Sequence, residues 1–271
     1  MIYHPLRICI TGTKGFIGSH FLRHLSGNPN VEIFPFEGDL LCKNDLREFF
    51  DQHPNIDQII HLVGIFEADF QRLLDINIST TYFLLNAAVH HKIPKIIYVS
   101  SGAVYGEPLG KASKEKDSLH PNTLYGLAKK MSEEIIFYHH RNFGLSYVIL
   151  RFPNVYGPNN NKGVIYRFKT DIQKKKEITI HGDGSQLRNF LHVKDACLAL
   201  EKSIFYPKSD VFNISNPKSV SLNEIVETLQ KKEHFKVRYE PEDNSLRNLS
   251  LDIKKAQKKL HFSPTITELD L

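Results

Sequence analysis

Nowhere in the 271 residues do apolar side chains run on for the ~20 positions that a membrane-spanning helix needs. Cysteine is scarce. Cys9, Cys42 and Cys197 are odd in number and widely spaced, so neither a disulfide framework nor a zinc site is expected, and a reducing cytoplasm suits the chain. The fourteen histidines include the pairs His90–His91 and His139–His140, but none has ligand-like spacing, and no metal is expected. The opening "MIYHPLRICITG" lacks the basic start, long apolar stretch and small-residue cleavage site of a signal peptide. Repeats and low-complexity tracts are missing. The lysine clusters at 174–176, 231–232, 254–255 and 258–259 have no interleaved aromatics, so they read as solvated helix faces rather than a nucleic-acid stripe. The net charge of +5 also suits a small anionic substrate.

What is present is the composition of an ordinary globular protein, 41% hydrophobic and 24% charged. Short apolar runs, "RICIT", "VEIFPF", "QIIHLV", "KIIYVSS" and "SYVILRF", alternate with helical spacing over 16–25, 45–52, 70–91 and 124–143. Strands apolar on both faces and separated by helices predict an α/β fold, a doubly wound parallel sheet. After "NVYGPNNN" the pattern loosens into shorter strands and helices. Residues 1–155 therefore read as a dinucleotide-binding domain, and 156–271 mainly as a smaller C-terminal α/β substrate lobe, with a segment near 211–215 returning to the main sheet.

The strongest local signal is "ICITGTKGFIGSHFLRHL". A buried strand meets Gly12, Gly15 and Gly18 at three-residue spacing, and a helix begins inside that spacing. One glycine makes the turn, one lets backbone approach a pyrophosphate, and one lets helix pack on sheet, so the phosphates rest on helix N–H groups. Glu37 follows the second strand, at the position where a carboxylate holds the adenosine ribose. It favours NAD, although it also reads as a turn residue before Gly38. Lys14 would suit the 2′-phosphate of NADP. The cofactor expected is NAD, with NADP open.

Tyr125 and Lys129 lie one turn apart on one face of the helical segment 124–143. Taken alone they are a solvated pair. With Ser101 at the end of "KIIYVSS", where ligands bind in such sheets, they read instead as a general acid/base with its partners. The apolar positions Leu124, Leu127/Ala128, Met131 and Ile135 are expected to face the sheet.

The stretches "TGTKGFIG", "GDL", "HLVG", "YVSSGAVYG", "YGLAKK", "LRFPNVYGP", "HGDGSQLRNFLHV" and "VFNIS" together resemble the extended short-chain dehydrogenase/reductases, in particular the NAD-dependent epimerase/dehydratase group that acts on nucleotide sugars. The resemblance implies a Rossmann sheet. It implies that Gly12, Gly15, Phe16, Ile17 and Gly18 hold the cofactor pyrophosphate, that Asp39 and Leu40 flank the adenine, and that His61 and then Leu62, Val63 and Gly64 follow the cofactor backbone. It implies that Ser101 holds the reacting sugar oxygen, Tyr125 is the acid/base, and Lys129 binds the nicotinamide ribose and lowers the tyrosine pKa. Asn154 and Arg188 would contact the nucleotide-sugar substrate, and a homodimer is implied. Sugar dehydratases of the group carry an Asp-Glu pair where Gly102 and Ala103 stand here. The reading is therefore a 4-epimerase, with a 4-keto-sugar reductase as the alternative and a non-catalytic dinucleotide sensor as the alternative of another class. Glu240 replaces an arginine common in the group, with Arg238 or Arg247 as the substitute, and the loop after "HLVG" is short.

Overall fold

The structure, a computed structural model, describes residues 4–67, 69–107, 112–241 and 248–269. Arg247 lies outside these residues. The chain begins with β1 (Leu6–Thr11), α1 (Phe16–Leu25), β2 (Val31–Phe36), α2 (Lys43–Gln52) and β3 (Gln58–His61). A helical stretch then runs through α3 (Phe70–Leu73), a wide π turn (Leu74–Ser79) and α4 (Thr80–His90). It leads to β4 (Lys95–Ser101), a short 3₁₀ turn (Gly102–Tyr105), α5 (Leu124–Phe143) and β5 (Ser146–Phe152). The second half holds β6 (Asn154–Tyr156), α6 (Gly163–Gln173), β7 (Ile178–His181), β8 (Leu187–His192), α7 (Val193–Ile204), β9 (Asp210–Asn213), β10 (Ser219–Ser221), α8 (Leu222–Gln230) and β11 (Val237–Glu240).

Six strands form one parallel sheet in the order β2-β1-β3-β4-β5-β9. The chain leaves β1 for β2 on one side and returns to β3 on the other. The strand order therefore reverses between β1 and β3, and a crevice opens at their carboxyl ends. Both faces of the sheet are covered. Ile8, Ile10, Ile60, Val148 and Leu150 pack with α1 and α7 on one side, and Cys9, Ile59, Ile96 and Ile149 with Leu46, Leu84 and Ile136 on the other.

The second half contributes both to the main sheet and to a small lobe of its own. β9 pairs with β5 in the main sheet. Helix α7 also buries Ala196, Cys197, Leu200 and Ile204 in the same core as β1 and β5. What stands apart is a small lobe with the sheets β10-β8-β6 and β11-β7. Its core joins Ile165, Phe168 and Ile172 of α6 to Ile178, Ile180 and Phe190, and to Leu222, Ile225 and Leu229 of α8.

Helix α5 corrects an expectation. Thr123 caps it by accepting from the Gly126 N–H at 3.0 Å, and Gly144 ends it in the left-handed region. Its buried face, however, is Gly126, Ala128, Lys129, Ser132, Glu133, Ile136 and His139. Leu124, Leu127 and Met131 point outward and are exposed. The polar residues turn inward because buried partners on β4, β5 and the π turn satisfy them.

Candidate active site

The site begins where β1 ends. Gly12 takes φ +75°, a region closed to most side chains, and its carbonyl accepts from the Gly15 N–H at 3.0 Å to close the turn. A Cβ on Gly18 would lie 2.1 Å from the Gly12 oxygen, so only glycine lets α1 come this close. Gly15 is the N-cap of α1 and supplies no side-chain acceptor, and the first turn carries no acidic residue. The leading N–H groups of α1, at Phe16, Ile17 and Gly18, therefore point into the crevice without intrahelical partners. This bare cradle fits a pyrophosphate. The next loop closes against it, since a Cβ on Gly12 would sit 3.0 Å from the Val63 nitrogen, and Leu62 N–H donates to the Thr11 carbonyl at 3.3 Å.

At the end of β2, Lys14 Nζ lies 3.5 Å from Glu37 Oε2, and both side chains are largely exposed. The two residues that pull in opposite directions on cofactor choice thus pair with each other. Asp39 directs a carboxylate oxygen to its own turn, accepting from Leu41 N–H at 2.9 Å, and Leu40 is buried against the sheet.

Ser101 terminates β4, and its hydroxyl accepts from Ala103 N–H at 3.2 Å. Tyr125 sits in the first turn of α5, half-buried, with Ser101 near enough to act on its phenol. Burial pushes the Tyr125 phenol up to about 12. Lys129 is buried at 3% exposure, and its Nζ donates to the Tyr98 hydroxyl at 3.1 Å and the Val99 carbonyl at 3.0 Å. Burial lowers the Lys129 ammonium to about 7, against an opposing pull from Glu133. Ser101 acts against the rise that burial imposes on Tyr125. The lysine spends its charge on Tyr98 and Val99 and is itself strongly desolvated.

Beneath the site lies a buried polar layer that sequence reasoning left largely unseen. His61 is wholly buried between Thr11 (2.7 Å from Nδ1) and Thr81 (3.2 Å from Nε2), and it stacks on Tyr98. Thr81 donates its proton to the Asn77 carbonyl, so Nε2 carries the His61 proton and Nδ1 accepts from Thr11. Burial and then the Lys129 charge lower His61 to about 3, so it is neutral. It supports the crevice from below rather than lining it. Asn77, in the π turn, clamps the loop after β3. Its side chain accepts from Ile65 N–H and donates to the Ile65 carbonyl, both at 3.1 Å. A Cβ on Gly64 would lie 2.8 Å from Lys129 Nζ and 3.0 Å from Asn77 Oδ1, so the loop, the amide and the lysine meet at one point. In the sequence, Asn77 is a lone amide on an inward helical position; nothing local marks the widened turn.

A second buried layer holds α5 to β5. Glu133 takes both Nη2 (2.6 Å) and Nε (3.0 Å) of Arg151 and accepts from Ser100 at 2.5 Å. Arg151 also donates to Tyr105 at 2.7 Å, and Tyr105 donates to Asn213 at 2.8 Å. Behind Gly102 the wall is apolar, with a Cβ there 3.0 Å from Leu249 and 3.2 Å from Leu251.

Ser101 pairs in register with Phe152, and Asn154 follows two residues on, at the start of β6. Asn154 is paired with Phe190 of β8, two residues from Arg188, so the small sheet places both residues at one end of the crevice region. Arg238, the candidate substitute for a missing phosphate contact, forms an ion pair with Glu240. Among the described residues no cluster of three or more His, Cys, Asp or Glu side chains is placed to hold a metal ion.

The model of the NAD dependent epimerase/dehydratase family matches residues 8–215. The chain is 31% identical over 288 residues to a putative UDP-glucose 4-epimerase of Methanocaldococcus jannaschii, covering 96% of this chain and 93% of the relative. It is 27% identical to a dTDP-glucose 4,6-dehydratase of Streptomyces niveus, over 98% of this chain and 90% of that one. Among solved structures it resembles a UDP-glucuronic acid 4-epimerase from Bacillus cereus in complex with UDP-glucuronic acid and NAD, with TM-score 0.87, 28% identity, and coverage of 96% and 94% of the two chains. The matched stretch runs from the strand before the glycine turn to the strand that rejoins the sheet beside β5. By that match, and by the crevice it encloses, the chain belongs to the NAD dependent epimerase/dehydratase family.

Proposed function

We propose that the protein is an NAD-dependent nucleotide-sugar 4-epimerase acting on a UDP-sugar. The observation that carries the reading is the meeting of Ser101, at the carboxyl end of β4, with Tyr125 in the first turn of α5, and with Lys129 buried one turn away beside Gly64. The glycine cradle holds the cofactor pyrophosphate, Glu37 the adenosine ribose, and Leu62–Gly64 the stretch between. Bound there, NAD supplies a hydride acceptor and donor for sugar carbon 4 and a positive charge that favours the phenolate.

Ser101 fixes the sugar O4 by hydrogen bonding. Tyr125 takes the O4 proton as the carbon gives up its hydride, and returns it when the hydride comes back to the opposite face. Lys129 orients the nicotinamide ribose and, when protonated, adds to the field that stabilises the phenolate. Asn154 and Arg188 contact the pyrophosphate or sugar side of the nucleotide sugar. Removal of water across carbons 5 and 6 needs a carboxylate beside Ser101. Gly102 backs onto Leu249 and Leu251 instead, which supports carbonyl–alcohol chemistry over dehydration.

The same reading places two copies together along α4 and α5, where Tyr82, Leu127, Met131 and Tyr138 leave apolar surface exposed. The free thiols Cys9, Cys42 and Cys197 agree with a cytoplasmic enzyme. No helix among the described residues is long and apolar enough to cross a membrane.

The decisive experiment has two parts: mass spectrometry of the purified, denatured protein, and incubation with UDP-glucose without added cofactor. Co-purified NAD and conversion to UDP-galactose are expected. An empty site, with turnover only on added NAD(P)H and a keto-sugar, would replace the epimerase by a reductase.

A further inference from the structure

Phe66 is the most exposed large apolar side chain among the described residues, at 69%. Its ring nevertheless has a defined partner. It stands edge-on to Tyr125, centroids 5.3 Å apart and planes at 77°. The loop that carries it is held at two points. Asn77 pairs with both backbone groups of Ile65 at 3.1 Å, and Glu67 pairs with Arg72 at 3.4 Å. Asn77 is buried and its own carbonyl accepts from Ser132 at 2.7 Å, so the clamp is anchored in α5. An aromatic ring held against the acid/base by a fixed loop, and otherwise left in water, calls for a bound apolar surface.

We propose that Phe66 is the specificity wall of the sugar site, a ring that stacks on the C–H face of an uncharged pyranose and disfavours a sugar carboxylate. The inference rests on the 4-epimerase reading, which puts sugar carbon 4 at Tyr125. Substituents one or two bonds from that carbon then fall on Phe66. The charges around the wall argue the same way. Arg72 is taken by Glu67, and Lys129 is committed to Tyr98 and Val99. A carboxylate on carbon 5 would meet an aromatic ring and, in Glu67, a nearby glutamate whose cation partner is already engaged.

The test uses the purified holoprotein and its Phe66→Ala, Phe66→Leu and Phe66→Tyr variants. Binding and turnover are measured with UDP-glucose, UDP-N-acetylglucosamine and UDP-glucuronic acid. Wild type should favour the two neutral sugars. Phe66→Ala should weaken the neutral sugars by about tenfold, the scale of one well-placed aromatic contact. That loss should appear in KM more than in kcat, with the acidic sugar unchanged. Phe66→Tyr should restore the preference, and Phe66→Leu should not. Equal losses for all three sugars, no loss in Phe66→Ala, or a wild-type preference for the uronic acid overturns the proposal. Selective binding without turnover would keep the wall and sink the epimerase. Turnover indifferent to Phe66 would do the reverse.

Discussion

The ammonium of Lys14 lies 3.5 Å from the carboxylate of Glu37, joining the glycine turn to the end of β2. Both are exposed, so the pair adds little to stability. Its consequence is for cofactor choice. In the proposed NAD site Glu37 would repel a 2′-phosphate, and it holds down Lys14, a cation that would welcome one. Glu37→Ala should release Lys14 and tighten NADP binding by about tenfold or more, the scale of a hydrogen bond to a charged group. Titration of NAD and NADP into the stripped variant checks this. An unchanged NADP affinity would show that Lys14 does not reach the ribose.

Tyr125→Phe should lower turnover by at least about a hundredfold while NAD stays bound, the usual cost of losing a general acid/base. Ser101→Ala makes a subtler prediction. Ser101 is what lowers the tyrosine against burial. Its removal leaves the phenol higher still, so at any given pH less phenolate exists. The rising limb of the kcat–pH profile should move to higher pH.

His61 ties stability to pH. Its folded pKa is about 3, against an ordinary value of 6.5. Between these values the unfolded chain takes up a proton that the native state refuses, so stability falls as pH drops through this window. The loss approaches about 1.4 kcal/mol per pH unit. Above pH 6.5 the group is neutral in both states and contributes no slope. Urea midpoints measured from pH 7 to 4 should fall less steeply in His61→Gln than in wild type.

Glu133→Gln leaves the buried guanidinium of Arg151 short of its charge partner. A loss of about 3–5 kcal/mol is expected, read from urea unfolding. A change within about 0.5 kcal/mol, the range of ordinary surface substitutions, would mean that water reaches Arg151 in solution.

Gly18→Ala should purify without cofactor. The added methyl would fall 2.1 Å from the Gly12 oxygen, so α1 must back away and take its N–H groups with it. NAD in the denatured variant at wild-type stoichiometry would contradict this.

The parallel sheet was legible because β1, β3, β4 and β5 are apolar throughout, and only a doubly covered sheet buries both faces of a strand. The glycine turn was legible because its spacing is a steric requirement. The inward face of α5 was not. A stripe rule assigns Leu124, Leu127 and Met131 to the core, yet Lys129, Ser132 and Glu133 occupy it, satisfied by Tyr98, Asn77 and Arg151 from distant segments. Partners so far apart in the chain leave no periodic trace. The same holds for Asn77, whose place depends on a π turn that no local residue announces, and for Phe66, whose ring meets that of Tyr125 from a distant segment.

The path of the chain after β5 has an evolutionary consequence. It leaves the large sheet for β6, comes back with α7 and again with β9, and departs once more for β10. A lobe stitched to its scaffold at so many seams cannot be traded for another by recombination at a single joint.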